Sequence, residues 1–192
     1  MTTKNQKGFN LVEAAIVLGI VGLVIGGIWV AASSVYENNR TQRASQQLIT
    51  IVQQVRKLSS NAGDLVTSSA DVTSSLVTAG VFPADMVQGG QPKNPWNGDV
   101  TVYGVNNAGG DTFWVNFNGL TRQGCTDIAM NAAGQSKDAG LQAYAVSNAA
   151  ITDAPSSSTP ATTAPTIVSL TTSSGCASTT NVNAAAFNFS LR

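Results

Sequence analysis

The sequence predicts an α+β protein in which a long N-terminal helix protrudes in its first half and packs its second half on an antiparallel sheet. Three observations lead there. Residues 14–36 form a charge-free and largely apolar run. Beyond it, Ala44, Leu48, Ile51, Val52, Val55 and Leu58 recur every three or four residues, the spacing of one helix face. Further on, Val, Thr, Tyr, Phe and Trp alternate through 99–105 and 112–118, and the intervening 106–111 contains Gly109-Gly110, the pattern of a β-hairpin.

The apolar run is long enough to span a bilayer, which takes about 20 residues, whereas the core of a secretory signal runs about 7 to 15. Lys4 and Lys7 precede it with no acidic residue among them, so the positive-inside tendency leaves 1–8 cytoplasmic and the bulk of the chain beyond the membrane. A single helix over 9–58 would extend about 75 Å, more than a compact head can bury. Its first half must therefore protrude, and an apolar rod is stable only in lipid or among helices like itself. Gly19, Gly22, Gly26 and Gly27 lie in that half. They serve close helix packing or local unwinding in an assembly, the latter centred on Gly26-Gly27. Glu13 stands within the apolar stretch 9–32, where an ionisable side chain usually has a partner or a task.

In the second half of the helix, Gln42, Arg43, Gln46, Gln47, Gln53, Gln54 and Arg56 fill the positions opposite the stripe and are expected to face away from the sheet, with terminators at 59–63. In the head, 71–79 reads as a short helix with Asp71 as its N-cap and Gly80 as its stop. A further helix is expected within 120–133, and strands at 141–147, 166–171 and 185–191. Residues 153–166, with Pro155, Pro160 and Pro165 among Ser and Thr, read as a surface loop. The expected organisation is thus 1–8 as a leader, 9–60 as the N-terminal helix and 61–192 as the head.

Composition narrows the function. Ten Lys and Arg balance ten Asp and Glu, so no long-range field draws the molecule to nucleic acid. Histidine is absent, which removes the commonest general base and transition-metal ligand. No phosphate-cradling glycine loop, nucleophile elbow or metal-spaced cluster is present, so no enzyme activity, cofactor or metal is expected. The tripeptides Asn39-Arg40-Thr41 and Asn188-Phe189-Ser190 fit the N-glycan pattern only by chance. Cys125 and Cys176 are too few and too far apart for a redox dipeptide or a zinc set. Beyond the membrane they suit one disulfide, closing a loop of about 50 residues and worth roughly 4 kcal/mol in the chain-entropy model.

The string Lys7-Gly8-Phe9-Asn10-Leu11-Val12-Glu13, followed by the apolar run, resembles the processing and assembly signature of type IV prepilins. The resemblance implies cleavage between Gly8 and Phe9 by a membrane aspartyl protease, the prepilin peptidase, and N-methylation of Phe9. It also implies that Glu13 pairs with the N-terminal amine of a neighbouring subunit. Such a pair neutralises two charges in low dielectric only at one axial stagger, and so sets register more than it adds stability. Two strings in the head, Lys93-Asn94-Pro95-Trp96-Asn97-Gly98 and Asn118-Gly119-Leu120-Thr121 leading to Cys125, resemble the loop-and-helix region of type IVb pilins. The eight-residue leader and the Phe9 start are more typical of the other subclass, so the two ends of the chain point to different subclasses. Together these likenesses imply the pilin αβ-roll and a structural subunit of a helical filament of identical copies, held in the bacterial inner membrane with a periplasmic head before the assembly machinery moves it to a cell-surface pilus. Adhesion, aggregation, motility or conjugative contact would follow. The alternatives are a minor pilin or type II secretion pseudopilin and, from another class, a membrane-anchored periplasmic enzyme or binding protein that keeps its leader.

Overall fold

The computed structural model describes residues 10–62, 68–106, 111–134, 140–155 and 162–191. In chain order the elements are helix α1 (Leu11–Ala62), strand β1 (Ala70–Asp71), helix α2 (Thr73–Thr78), and strands β2 (Val87–Gln88), β3 (Gln91–Pro92), β4 (Val100–Val105) and β5 (Thr112–Leu120). Helix α3 (Arg122–Ala133), strand β6 (Leu141–Ser147), helix α4 (Ile167–Leu170) and strand β7 (Asn183–Ser190) follow. The chain forms two compact units, Met1–Asn38 and Asn39–Arg192, and α1 contributes to both. The helix continues without a break through all four of its glycines.

In the second unit, a five-stranded antiparallel sheet has the order β1-β4-β5-β7-β6, with β2 and β3 forming a separate two-stranded ribbon. The expected hairpin is present as β4 and β5, in register from Val100 opposite Phe117 to Val105 opposite Thr112. Its connecting residues 107–110 lie outside the described residues. Strand β7 enters between β5 and β6, pairing Val115 with Phe187 on one side and Tyr144 with Phe187 on the other. Every residue from Asn183 to Phe189 is therefore buried, as a strand with neighbours at both edges and cover on both faces requires.

One face of the sheet carries the main core. Val102, Phe113, Val115, Phe117 and Phe187 form one cluster with Ala44, Leu48, Ile51, Val52 and Val55 of α1 and with Ile128 and Ala129 of α3. The six-residue stripe is thus the buried face of α1, with Leu58 half-buried at its end. Each fully buried Phe or Ile here contributes about 1.5–3 kcal/mol by removing apolar surface from water. The opposite face carries a smaller cluster of Trp114, Ala145 and Ala186, against which Ile151 and Ala154 of the segment after β6 pack. Two asparagines hold that segment. Asn118 Nδ2 donates to the Ile151 carbonyl (3.1 Å) and its Oδ1 accepts from the Ile151 N–H (2.8 Å), while Asn116 Nδ2 donates to the Asp153 carbonyl (3.3 Å).

Three expectations are corrected. Residues 166–171, expected as a strand, are α4 and its two caps, Thr166 and Thr171. Thr166 Oγ1 accepts from the Ser169 N–H and Ser169 Oγ accepts from the Thr166 N–H, a capping box that outweighs the β-preference of Ile167 and Val168. Arg56 does not face away: its Nε donates to the Ser190 carbonyl (3.1 Å), and its guanidinium lies 5.8 Å from the centroid of the Phe189 ring. Asp71 lies in β1, with Val72 at the N-cap position of α2, yet its Oδ1 still accepts from the Thr73 N–H (2.8 Å). The stop at Gly80 is as expected. The Gly80 N–H bonds to the Val77 carbonyl and the Val81 N–H to the Leu76 carbonyl, a Schellman ending.

Candidate assembly site and the knot that shapes the head

In the first unit, Asn10 starts the helix. Its carbonyl accepts the first regular helical bond from the Ala14 N–H (3.1 Å), and its Oδ1 accepts from the Val12 N–H (3.3 Å), satisfying one of the donors that a helix start leaves open. Glu13 falls in that first turn and is exposed, where the helix dipole favours a carboxylate. From there the surface is almost wholly apolar: Leu23 is 79% exposed and Trp29 74%, and Ile16, Leu18, Ile20, Val24, Ile25 and Ile28 are exposed as well. This stretch is long and apolar enough to cross a membrane. The expected cleavage and methylation positions, Gly8 and Phe9, lie outside the described residues.

In the second unit, the two head strings are brought into one knot. Asn94 is buried at its centre. Its Nδ2 donates to the Asn118 carbonyl (2.7 Å), and its Oδ1 accepts from the N–H groups of Trp96 (2.9 Å) and Gly98 (3.0 Å). One amide thus closes its own loop and ties it to the end of β5, as a short polar side chain in a turn can. Backbones meet so closely that a Cβ on Gly98 would lie 1.8 Å from the Asn118 oxygen, and Gly119 beside it adopts φ +69°. Gly124, in the first turn of α3, lies against the Trp96 ring, where a Cβ would come within 2.5 Å of a ring carbon. Thr121 caps α3 by accepting from the Gly124 N–H (2.9 Å).

The next residue, Cys125, is joined to Cys176 with their Cα atoms 5.7 Å apart, so the expected disulfide is present and both cysteines are buried. The bond fastens the segment after α4 to the start of α3. Two further side chains, which the sequence reading missed, hold that segment. Arg122 donates to the Ala177 carbonyl, and Asn183 bridges the Leu120 and Ser178 carbonyls (3.2 and 3.0 Å) while accepting from the Ser178 N–H (2.8 Å). A signal existed in the polar residue that precedes the apolar run Ala184–Phe187, but its Leu120 partner is distant in sequence. Replacing both cysteines with Ser is expected to lower the unfolding free energy by about 2–4 kcal/mol. Urea unfolding of the full chain in detergent would show this, and an unchanged midpoint would contradict it. Asn188 of the second glycan tripeptide is buried in β7.

A family model described as PilS N terminal matches residues 38–186. The chain is 26% identical over 126 residues to the toxin coregulated pilin of Vibrio cholerae, a match covering 64% of this chain and 56% of that one. It is 29% identical over 133 residues to the toxin coregulated pilin of V. cholerae serotype O1, with the same coverage. To the major structural subunit of the bundle-forming pilus of Escherichia coli O111:H- it is 24% identical over 151 residues, 77% of each chain. The match thus spans just over half the length of the toxin coregulated pilins. No solved structure matches. The family match covers the asparagine knot, the stapled C-terminal region and the sheet as far as the first half of β7, and the relatives are named as pilus subunits: the chain belongs to the PilS N-terminal family of type IV pilins.

Proposed function

We propose that this chain is a structural, non-enzymatic subunit of a type IVb pilus, assembled into a helical filament of identical copies through the apolar part of α1. One observation carries the reading: a helix whose first 28 residues leave nearly every large apolar side chain exposed, in a chain of a pilin family. Such a surface is sheltered first by the inner membrane, with the head on the periplasmic side, and then by other copies of the same helix. The exchange costs little apolar hydration at either end, which lets one segment serve both states. Cleavage after Gly8 by a prepilin peptidase and methylation of Phe9 would place a new amine beside the Glu13 carboxylates of neighbouring subunits, and the assembly machinery would then set the stagger. The relatives named as pilins support the structural role; adhesion, aggregation, motility and conjugative contact are uses to which the exposed heads would be put.

Mass analysis of the N-terminus of the membrane-extracted chain tests the processing step. A chain beginning at N-methylated Phe9 is the expected result, and an intact Met1 on the extracted protein would contradict it. The abundance of the chain in sheared surface filaments separates the major subunit, in which it dominates, from a minor pilin or pseudopilin, in which it occurs in traces.

A further inference from the structure

Among the described residues of the second unit, the large apolar side chains left exposed are Ile49, Met130, Ile167, Val168 and Val182. Four of these five fall into two groups of opposite shape. Ile167 (65% exposed) and Val168 (79%) stand side by side on the single turn of α4. That turn is held firmly: Thr166 and Ser169 cap it, Leu170 anchors it in the core, and the Leu170 carbonyl accepts from the N–H of disulfide-bonded Cys176 (2.7 Å). The second is centred on Ile49, which lines a hollow of about 290 Å³ walled also by Leu48 and Val52 of α1, Asn131 and Ala132 of α3, and Phe189. Ile49 is 56% exposed at this hollow, and Met130 precedes Asn131 on α3.

We infer that the Ile167-Val168 turn of one copy docks into the hollow between α1 and α3 of the next, giving the filament a head-to-head contact in addition to its helix packing. The inference rests on the filament reading, whose symmetry requires it to use two different patches of the same molecule, since a repeating helical array is built from heterologous contacts. Charge favours a second copy of this chain as the occupant. The sequence has no ionisable residue from Ala154 to Leu191, and none from Ala44 to Val55. The turn and the α1 wall of the hollow therefore bring no charge to the contact, and the Arg56 guanidinium beside the Phe189 wall already donates to the Ser190 carbonyl, which suits the charge-depleted centre of a protein contact. The hollow is also built on the second half of α1, the helix whose first half the filament reading assigns to assembly. Because the turn is already capped and stapled, little ordering cost opposes its insertion.

The test uses full-length chains in piliated cells. Coexpression of one chain carrying Val168→Cys with another carrying Ile49→Cys is expected to yield a disulfide-linked dimer in sheared filaments, seen on a non-reducing gel and absent when either variant is expressed alone. Separately, Val168→Asp is expected to cut filament yield at least tenfold, and adding Ile49→Lys to the same chain to restore it. Mixed filaments without the dimer, or normal yield from Val168→Asp, would overturn the contact while leaving the filament reading intact. Absence of the wild-type chain from sheared filaments would overturn both.

Discussion

Glu13→Ala is expected to leave the chain in the membrane and to remove nearly all assembled filament. The carboxylate lies in the first turn of α1, at the edge of a surface that is otherwise apolar over more than 20 residues. If it neutralises the amine of a neighbour, its loss leaves a positive charge unpaired in low dielectric. Breaking one partner of a buried pair costs about 3–5 kcal/mol, and each 1.4 kcal/mol is tenfold in association. Filament yield should therefore fall by two orders of magnitude or more, while membrane fractionation shows the chain inserted as before. Glu13→Asp keeps the charge but shortens the reach, so partial recovery would tie the effect to the pair. Normal filaments from Glu13→Ala would refute the pairing.

The largest effect on the fold is expected from Gly98→Ala. The added methyl would overlap the Asn118 carbonyl oxygen at 1.8 Å, and that oxygen belongs to backbone already fixed by the Asn94 amide. Since neither side is a flexible side chain, the clash can be relieved only by parting the loop from β5, with loss of the Asn94 bonds. A cost of about 3–5 kcal/mol follows, at the upper end for single substitutions. Gly90→Ala is the control. Its Cβ would meet nothing within 4 Å, so only the strain of its φ of +81° is felt, about 1 kcal/mol. Equal urea midpoints for the two variants would contradict the steric account.

Much of this architecture was legible because local pattern and final environment agree. The stripe from Ala44 to Val55 has the period of the helix it forms and lies in the core. Strands β4, β5 and β6 alternate or cluster β-branched and aromatic residues, and they occur where expected, with β5 running on to Leu120. Residues 166–171 misled because Thr166, Ile167 and Val168 favour strands, whereas two hydroxyl-to-backbone bonds close a helical turn that periodicity over six residues cannot register. The insertion of β7 between β5 and β6 is a pairing across more than 60 residues from β5, and no local signal encodes it. Arg56 looked like a solvent-facing cation because its partners, Phe189 and the Ser190 carbonyl, lie at the far end of the chain. In the site, the two head strings were recognisable one by one. Their meeting through Asn94 and Asn118 was not, since it depends on backbone approach allowed by Gly98 and Gly119.

The central claim is that the apolar part of α1 moves from lipid to the interior of a filament of identical chains. An electron-microscopic reconstruction of filaments sheared from the cell surface, paired with mass identification of their subunit, tests it most directly. The account predicts this chain as the repeating unit, with residues 11–38 packed around the filament axis and the sheet-bearing head outside. Filaments that lack the chain, or that contain it with those residues facing water, would contradict it.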